Sequence, residues 1–283
     1  MRIVLALGLA AALAGCGSST PSHGRSVVAA FYPVAWAAEQ IGGRSVHVHN
    51  LTPAGAEPHD IELTPKEVAE IQSAKFVFYL SHDFQPAVAD AVRDARGTIL
   101  DVLQGQTLSA GVGDESGKTD PHVWLDPVRF AGIVERMGVM LGRPARGRAL
   151  AARILRLDGE YRSGLAHCAR HEFVSSHAAF AYMAARYGLH MVAITGIDPE
   201  SEPSAQKLAS LAKLVRDDHI GTVFFERLVS PKLAQTVARE AGAKTAVLDP
   251  IEGLTPGEEK QGLDYIGLMR RNLQALRKEL GCR

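Results

Sequence analysis

The sequence predicts an α/β protein of two βα lobes bridged by a single long helix. Short apolar runs of strand length alternate with stretches of helical periodicity, first over residues 27–102 and again over 173–248. Strands separated by helices imply parallel sheets. Between these regions Leu150, Ile154, Leu157, Tyr161 and Leu165 recur at spacings of four, three, four and four, which is one face of a helix. Arg146, Arg148, Arg153, Arg156, Asp158 and Glu160 fill its other sides. Composition is the third observation: 283 residues, 46% hydrophobic and 22% charged, are ordinary proportions for a folded chain of one large or two ordinary domains. The 31 Lys+Arg balance 31 Asp+Glu, so the chain supplies no basic field for nucleic acid.

The N-terminus stands outside this pattern. Met1 and Arg2 give a minimal positive start, and residues 3–15 are uncharged and apolar or small. That run is too short to cross a bilayer as a helix, which takes about 20 residues, and it suits an export signal. It ends in Leu13-Ala14-Gly15-Cys16, followed by a Gly/Ser/Thr/Pro stretch. The quartet resembles the lipobox of bacterial lipoprotein precursors, which implies cleavage before Cys16 and a lipid on its thiol; an ordinary secretory signal is the alternative. The expected organisation is a lipoprotein signal peptide (1–15), a lipid-anchored flexible tether (16–26), an N-terminal α/β lobe (27–142), the connecting helix (143–170) and a C-terminal α/β lobe (171–283). Export places the remaining cysteines, Cys168 and Cys282, in an oxidising compartment, where an even number fits a disulfide. Two inert buried thiols are the other reading.

In the first lobe, residues 27–31 form an apolar strand closed by Pro33, 35–41 a helix ended by Gly42 and Gly43, and 46–51 an alternating strand. Thr64-Pro65-Lys66-Glu67 opens a helix with an N-cap, proline at the first position and glutamate at the third. Residues 76–80 and 97–102 are strands around another helix, 105–120 is a surface loop, and 127–141 begins the helical block. In the second lobe, strands fall at 173–175, 191–194, 222–225 and 245–248, each followed by helix. Ile266, Met269, Leu273, Leu276 and Leu280 mark a closing amphipathic helix. The halves show no convincing sequence repeat.

Three histidines sit where a strand ends or a helix begins, the usual place for ligand sites in α/β sheets. They are His59 in Pro58-His59-Asp60-Ile61-Glu62, His122 in Asp120-Pro121-His122-Val123-Trp124-Leu125-Asp126-Pro127, and His177 in Ser176-His177-Ala178-Ala179-Phe180. Asp249, in Leu248-Asp249-Pro250, also ends a strand. Imidazole and carboxylate suit zinc, and four such donors would close a tetrahedral shell. Each has a simpler reading: a loop histidine is usually solvated, Asp126 before Pro127 is a helix N-cap, and Asp249 before Pro250 could be a turn residue.

These segments, together with Gly196-Ile197-Asp198-Pro199-Glu200 and Phe225-Glu226, resemble in order the motifs of the metal-specific solute-binding lipoproteins of bacterial ABC transporters. That zinc and manganese family includes streptococcal adhesins and periplasmic zinc-binding proteins. The resemblance implies lobes bridged by one rigid helix and a metal site in the interlobe cleft, with His59 and His122 from the first lobe and His177 and Asp249 from the second. It also implies Asp60, Glu62 and Glu226 as carboxylates that orient imidazole N–H groups. Many zinc members carry a long His/Asp-rich loop; its place here, 105–120, holds no histidine.

A binding module follows rather than an enzyme: an exported, lipid-anchored monomer that captures Zn2+ and delivers it to an ABC transporter permease. Three imidazoles and one carboxylate form a borderline-soft set that favours zinc, and manganese-associated members carry a carboxylate where this chain has His177. Mn2+ or iron is the alternative cargo. Ser176 reads as an N-cap that puts His177 in a helix's first turn, whose positive end keeps the ring neutral. A secreted zinc hydrolase would need an open coordination position and a general base, and the chain has no His-Glu-x-x-His. An adhesin with a structural metal finds no dedicated surface in the sequence. The long helix predicts small lobe tilts on metal binding, not a wide clamp.

Overall fold

The computed structural model describes residues 25–82, 84–111 and 117–283. The expected signal peptide, Cys16 and most of the expected tether lie outside the described residues. The expected α/β class is what the chain forms: two four-stranded parallel sheets with helices between their strands. In the first sheet β1 (Arg25–Ala29), β2 (Val46–Asn50), β3 (Phe76–Tyr79) and β4 (Thr98–Asp101) take the order β2-β1-β3-β4. In the second, β5 (Glu172–Ser175), β6 (His190–Ala193), β7 (Thr222–Phe225) and β8 (Lys244–Val247) repeat it as β6-β5-β7-β8. The topology recurs without a sequence repeat because apolar patterning and crossover connections, rather than particular residues, fix such an order. In both sheets the order reverses between the first and third strands, which leaves a crevice beyond their C-terminal ends.

The helices of the first half are α1 (Tyr32–Gly42), α2 (Pro65–Ser73) and α3 (Pro86–Val92), each with proline in its first turn. Pro33 therefore starts α1, where its missing N–H leaves no bond unmade. Thr64 and Glu67 form the reciprocal capping box. Asp126 caps α4 (Pro127–Met140) by accepting the N–H groups of Val128 and Arg129. The bridging helix α5 (Pro144–Leu165) is 22 residues long, roughly 33 Å at 1.5 Å per residue. It approaches α4 so closely that a Cβ on Gly138 would stand 2.7 Å from the Gly147 Cα; only glycine fits that crossing. The second half adds α6 (Ala181–Tyr187), α7 (Ala205–Asp217), α8 (Lys232–Ala241), α9 (Pro256–Lys260) and α10 (Tyr265–Glu279).

One apolar core runs from the first sheet through the Leu150/Ile154/Leu157/Tyr161/Leu165 face of α5 and through α10 to Phe173 and Phe224 on the second sheet. Alternate residues Val174 and Val223 point to that sheet's other face, into a smaller core with α7 and α8, as the two-residue strand period requires. Tyr161 fastens α10 to α5 by donating to the Met269 carbonyl at 2.7 Å. A disulfide joins Cys168, just after α5, to Cys282, just after α10. A wide opening of the halves would expose the shared core to water. No helix among the described residues is long and apolar enough to cross a membrane.

Candidate metal centre

β5 and β7 are neighbours, so the residues just beyond their C-terminal ends meet. His177 Nδ1 lies 2.8 Å from Glu226 Oε1, which also accepts the Ser176 hydroxyl at 2.7 Å. The long loop after β4 leads to His122. There Asp120 Oδ1 accepts the His122 backbone N–H at 2.9 Å and stands 2.7 Å from its Nδ1. A carboxylate at Nδ1 takes that nitrogen's N–H and leaves Nε2 with a free lone pair. The two Nε2 atoms face each other at 3.3 Å. His59, on the loop from β2 to α2, joins them, with Phe84 packed edge-on against its ring at 4.6 Å between centroids. Glu252, on the turn after β8, is the fourth group. Its Oε1 lies 3.1 Å from His122 Nε2 and 3.5 Å from the Nε2 of both His59 and His177.

Among the described residues, donor atoms of His59, His122, His177 and Glu252 all fall within 4.8 Å of one another. Zinc bonds of 2.0–2.1 Å in a tetrahedral shell place neighbouring donors roughly 3.3–3.4 Å apart. The separations of 3.1 to 3.5 Å bracket that spacing. His122 and His177 are fully buried, Glu252 is 1% exposed and His59 8%. Glu252 Oε1 and His59 Nε2 make no hydrogen bond of good geometry, which is costly for buried polar atoms; a divalent cation between them would supply the missing partner.

Electrostatics in the site follow from the same contacts. Burial alone would lower the pKa of His122, but the carboxylates of Asp120 and Glu252 outweigh it and the ring titrates above 6.5. His177 is treated likewise by Glu226 and Glu252 and stands well above that value. Burial opposes the charge of Glu252, yet His59, His122 and His177 hold its carboxyl well below the ordinary range. Glu57, whose Oε2 accepts the His59 backbone N–H at 2.9 Å, is pushed up to about 9 by burial and by the charge of Glu252.

Over residues 27–279 the chain matches the family of zinc-uptake complex component A, periplasmic. It belongs to that family. The zinc-binding protein AdcA of Streptococcus pyogenes is 36% identical over an alignment covering 89% of this chain and 55% of that protein. This zinc-uptake family chain thus spans about half the length of that relative. The high-affinity zinc uptake system protein ZnuA of Bacillus subtilis is 34% identical over 95% of this chain and 93% of its own. Among solved structures, the Zn(II)-bound ZnuA-like domain of Streptococcus pneumoniae AdcA matches with a TM-score of 0.76 at 36% identity, covering 90% of this chain and 98% of that one.

In this chain the three histidines converge, but Asp249 is not with them. Its Oδ1 accepts the Ile251 N–H at 2.8 Å and its Oδ2 faces Arg227 at 3.8 Å. Burial pushes its pKa up to about 6, against the pull of the Ile251 N–H and Arg227. The turn reading of Asp249 is therefore the one the structure adopts: a side chain that bonds its own backbone two residues on is spent locally. The turn passes through Ile251 at a φ of 57° and turns Glu252 into the crevice. Sequence reasoning missed Glu252: the Asp-Pro signal marks the turn but does not say which of its carboxylates enters the crevice. Asp120, two residues before His122, is a further carboxylate at an imidazole that the sequence reading does not single out. Glu226 reaches the Nδ1 of His177, whereas Asp60 and Glu62 are both exposed, because the extended loop turns them to solvent. The nearby carboxylate before His59 in the loop is Glu57, which takes the His59 backbone N–H rather than its ring N–H. Ser176 caps no helix: α6 begins only at Ala181 and the Ser176 hydroxyl is bonded to Glu226. No helix end acts on His177, and its carboxylate neighbours draw the ring towards protonation instead of holding it neutral.

Proposed function

We propose that this chain is the extracytoplasmic solute-binding component of a zinc ABC importer. It holds Zn2+ through the Nε2 atoms of His59, His122 and His177 and the carboxylate of Glu252, and hands the ion to a membrane permease. The observation that carries the reading is the convergence of these four buried donors, all within 4.8 Å of one another, in one crevice. Four protein donors leave no position for a reactive water, so the site suits capture rather than hydrolysis. His59 and His122 come from the lobe of residues 27–142, and His177 and Glu252 from that of 171–283, with 143–170 as the bridge. The shell is complete only when both lobes are in place, so loading changes the interlobe geometry available to the permease. All four donors belong to one copy, so a monomer suffices. A lipid on Cys16 holds the protein at the outer face of the cytoplasmic membrane.

The deciding experiment is metal analysis of protein purified without added metal, followed by competition between Zn2+ and Mn2+ for the site. One zinc per chain and a clear preference for zinc are expected; equal affinity for manganese would overturn the reading of the cargo. Cys16→Ser should release the protein from the membrane fraction or block its processing, and unchanged membrane association would refute the anchor.

A further inference from the structure

We infer that α10, which contributes no ligand, sets the spacing of the ligand loops through two positioning residues, Asn272 and Tyr265; this rests on the four-ligand reading above. Asn272 is 3% exposed and clamps one residue of the turn after β8 from both sides. Its Oδ1 accepts the Asp249 N–H at 2.9 Å and its Nδ2 donates to the Asp249 carbonyl at 2.5 Å. Glu252 follows three residues later. Between them Ile251, a β-branched residue, is held at a φ of 57°, a conformation that persists only where the surroundings over-determine it.

Two helical turns before Asn272, on the same face of α10, the buried Tyr265 donates its hydroxyl proton to the Trp124 carbonyl at 2.5 Å. Trp124 lies two residues after His122. Its own indole N–H reaches across to the Pro250 carbonyl at 2.7 Å, inside the turn that Asn272 clamps. These bonds close a ring from α10 to the His122 loop, on to the Glu252 turn and back to α10. The ring ties one ligand of each half to a single helix, and those two ligands approach to 3.1 Å. Four neighbours of Asn272 on α10, Leu268, Met269, Leu273 and Leu276, are buried and apolar. A buried amide among them is costly unless bonded, so its presence is explained by the clamp rather than by packing.

Asn272→Ala and Tyr265→Phe, made in the full chain, test this by two readouts: Zn2+ affinity from chelator competition, and the visible absorption of the Co2+-loaded protein, which reports coordination geometry. Asn272→Ala is expected to weaken Zn2+ about 10–100-fold, as loss of a group that orients a ligand does, and to alter the Co2+ bands. Tyr265→Phe should act in the same direction, less strongly. In a Glu252→Gln background, Asn272→Ala should cost no more than about threefold further, because the ligand it acts through is already gone. A full second loss there would mean general destabilisation and overturn the proposal. A Glu252→Gln protein with unaltered zinc affinity would instead sink the ligand reading itself. If Asn272→Ala fails to fold, Tyr265→Phe decides alone: an unchanged Co2+ spectrum with affinity within about twofold of wild type would refute the positioning role.

Discussion

Glu252→Gln and Asp249→Asn make the same chemical change three residues apart, and the structure assigns them opposite consequences. Glu252 is 1% exposed, with three imidazole nitrogens within 3.5 Å of Oε1. Removing one member of a buried charge cluster costs about 3–5 kcal/mol, which is roughly two to three and a half decades in the zinc Kd. Asp249→Asn keeps an oxygen to accept the Ile251 N–H and gives up only a distant attraction to Arg227 at 3.8 Å. Its zinc affinity should therefore stay within about threefold of wild type. Stability moves the other way. With a folded pKa of about 6 against an ordinary 3.8, Asp249 binds a proton in the native state that the unfolded chain has lost. Stability from this group falls as pH rises from the unfolded value to the folded one, and stays lower above it. Asn removes that penalty, so at pH 7.5 the variant should gain up to about 3 kcal/mol, less whatever Arg227 loses, and at pH 4 almost nothing. Chelator competition gives the affinities, and denaturant melts at the two pH values give the stabilities. An Asp249→Asn protein that loses zinc as severely as Glu252→Gln would show that the turn reading is wrong.

Zinc affinity should fall with pH from a point above 6.5, because His122 and His177 in the metal-free protein hold protons above that value. Metal ligation needs neutral rings, so binding at neutral pH should release protons, seen as a calorimetric heat that depends on the buffer; a buffer-independent heat contradicts it. The same raised values stabilise the metal-free protein below 6.5, a contribution that disappears as pH rises through the folded pKa values. His177→Ala should weaken zinc strongly, and His177→Glu should narrow the preference for zinc over manganese by adding a harder donor; competition titrations yielding an unchanged ratio would refute the role of that residue. Opening the Cys168–Cys282 bridge, which spans a sequence separation of 114, should lower stability by up to about 4.7 kcal/mol in the chain-entropy model. Melting with and without reductant measures it, and titration of the unreduced, denatured protein should find neither thiol free.

What lies within a few residues along the chain was legible. The strands at 76–80 and 222–225 show as apolar runs, α2 is announced by Thr64-Pro65-Lys66-Glu67, and the buried face of α5 follows from the spacing of Leu150, Ile154, Leu157, Tyr161 and Leu165. Capping, turn chemistry and amphipathic periodicity are local codes. His122 and His177 stood out for a related reason: a side chain just past a strand or ahead of a helix is delivered to the crevice by the sheet itself.

The proposed fourth ligand was beyond such reasoning. Asp249 and Glu252 share one loop, and their order in sequence does not say which carboxylate enters the crevice. That choice is made by Asn272, 23 residues downstream, and by Trp124, 126 residues from the carbonyl it binds; together they hold Ile251 in a backbone conformation it would not adopt alone. Asp60 and Glu62 looked close to His59 because they are near it in sequence, yet direction counts for more than spacing, and both face solvent. The elements, their order and the histidines could be read along the chain, because they depend on neighbours in sequence. The tertiary structure alone decided which carboxylate completes the site, because that depends on contacts between residues that only folding brings together.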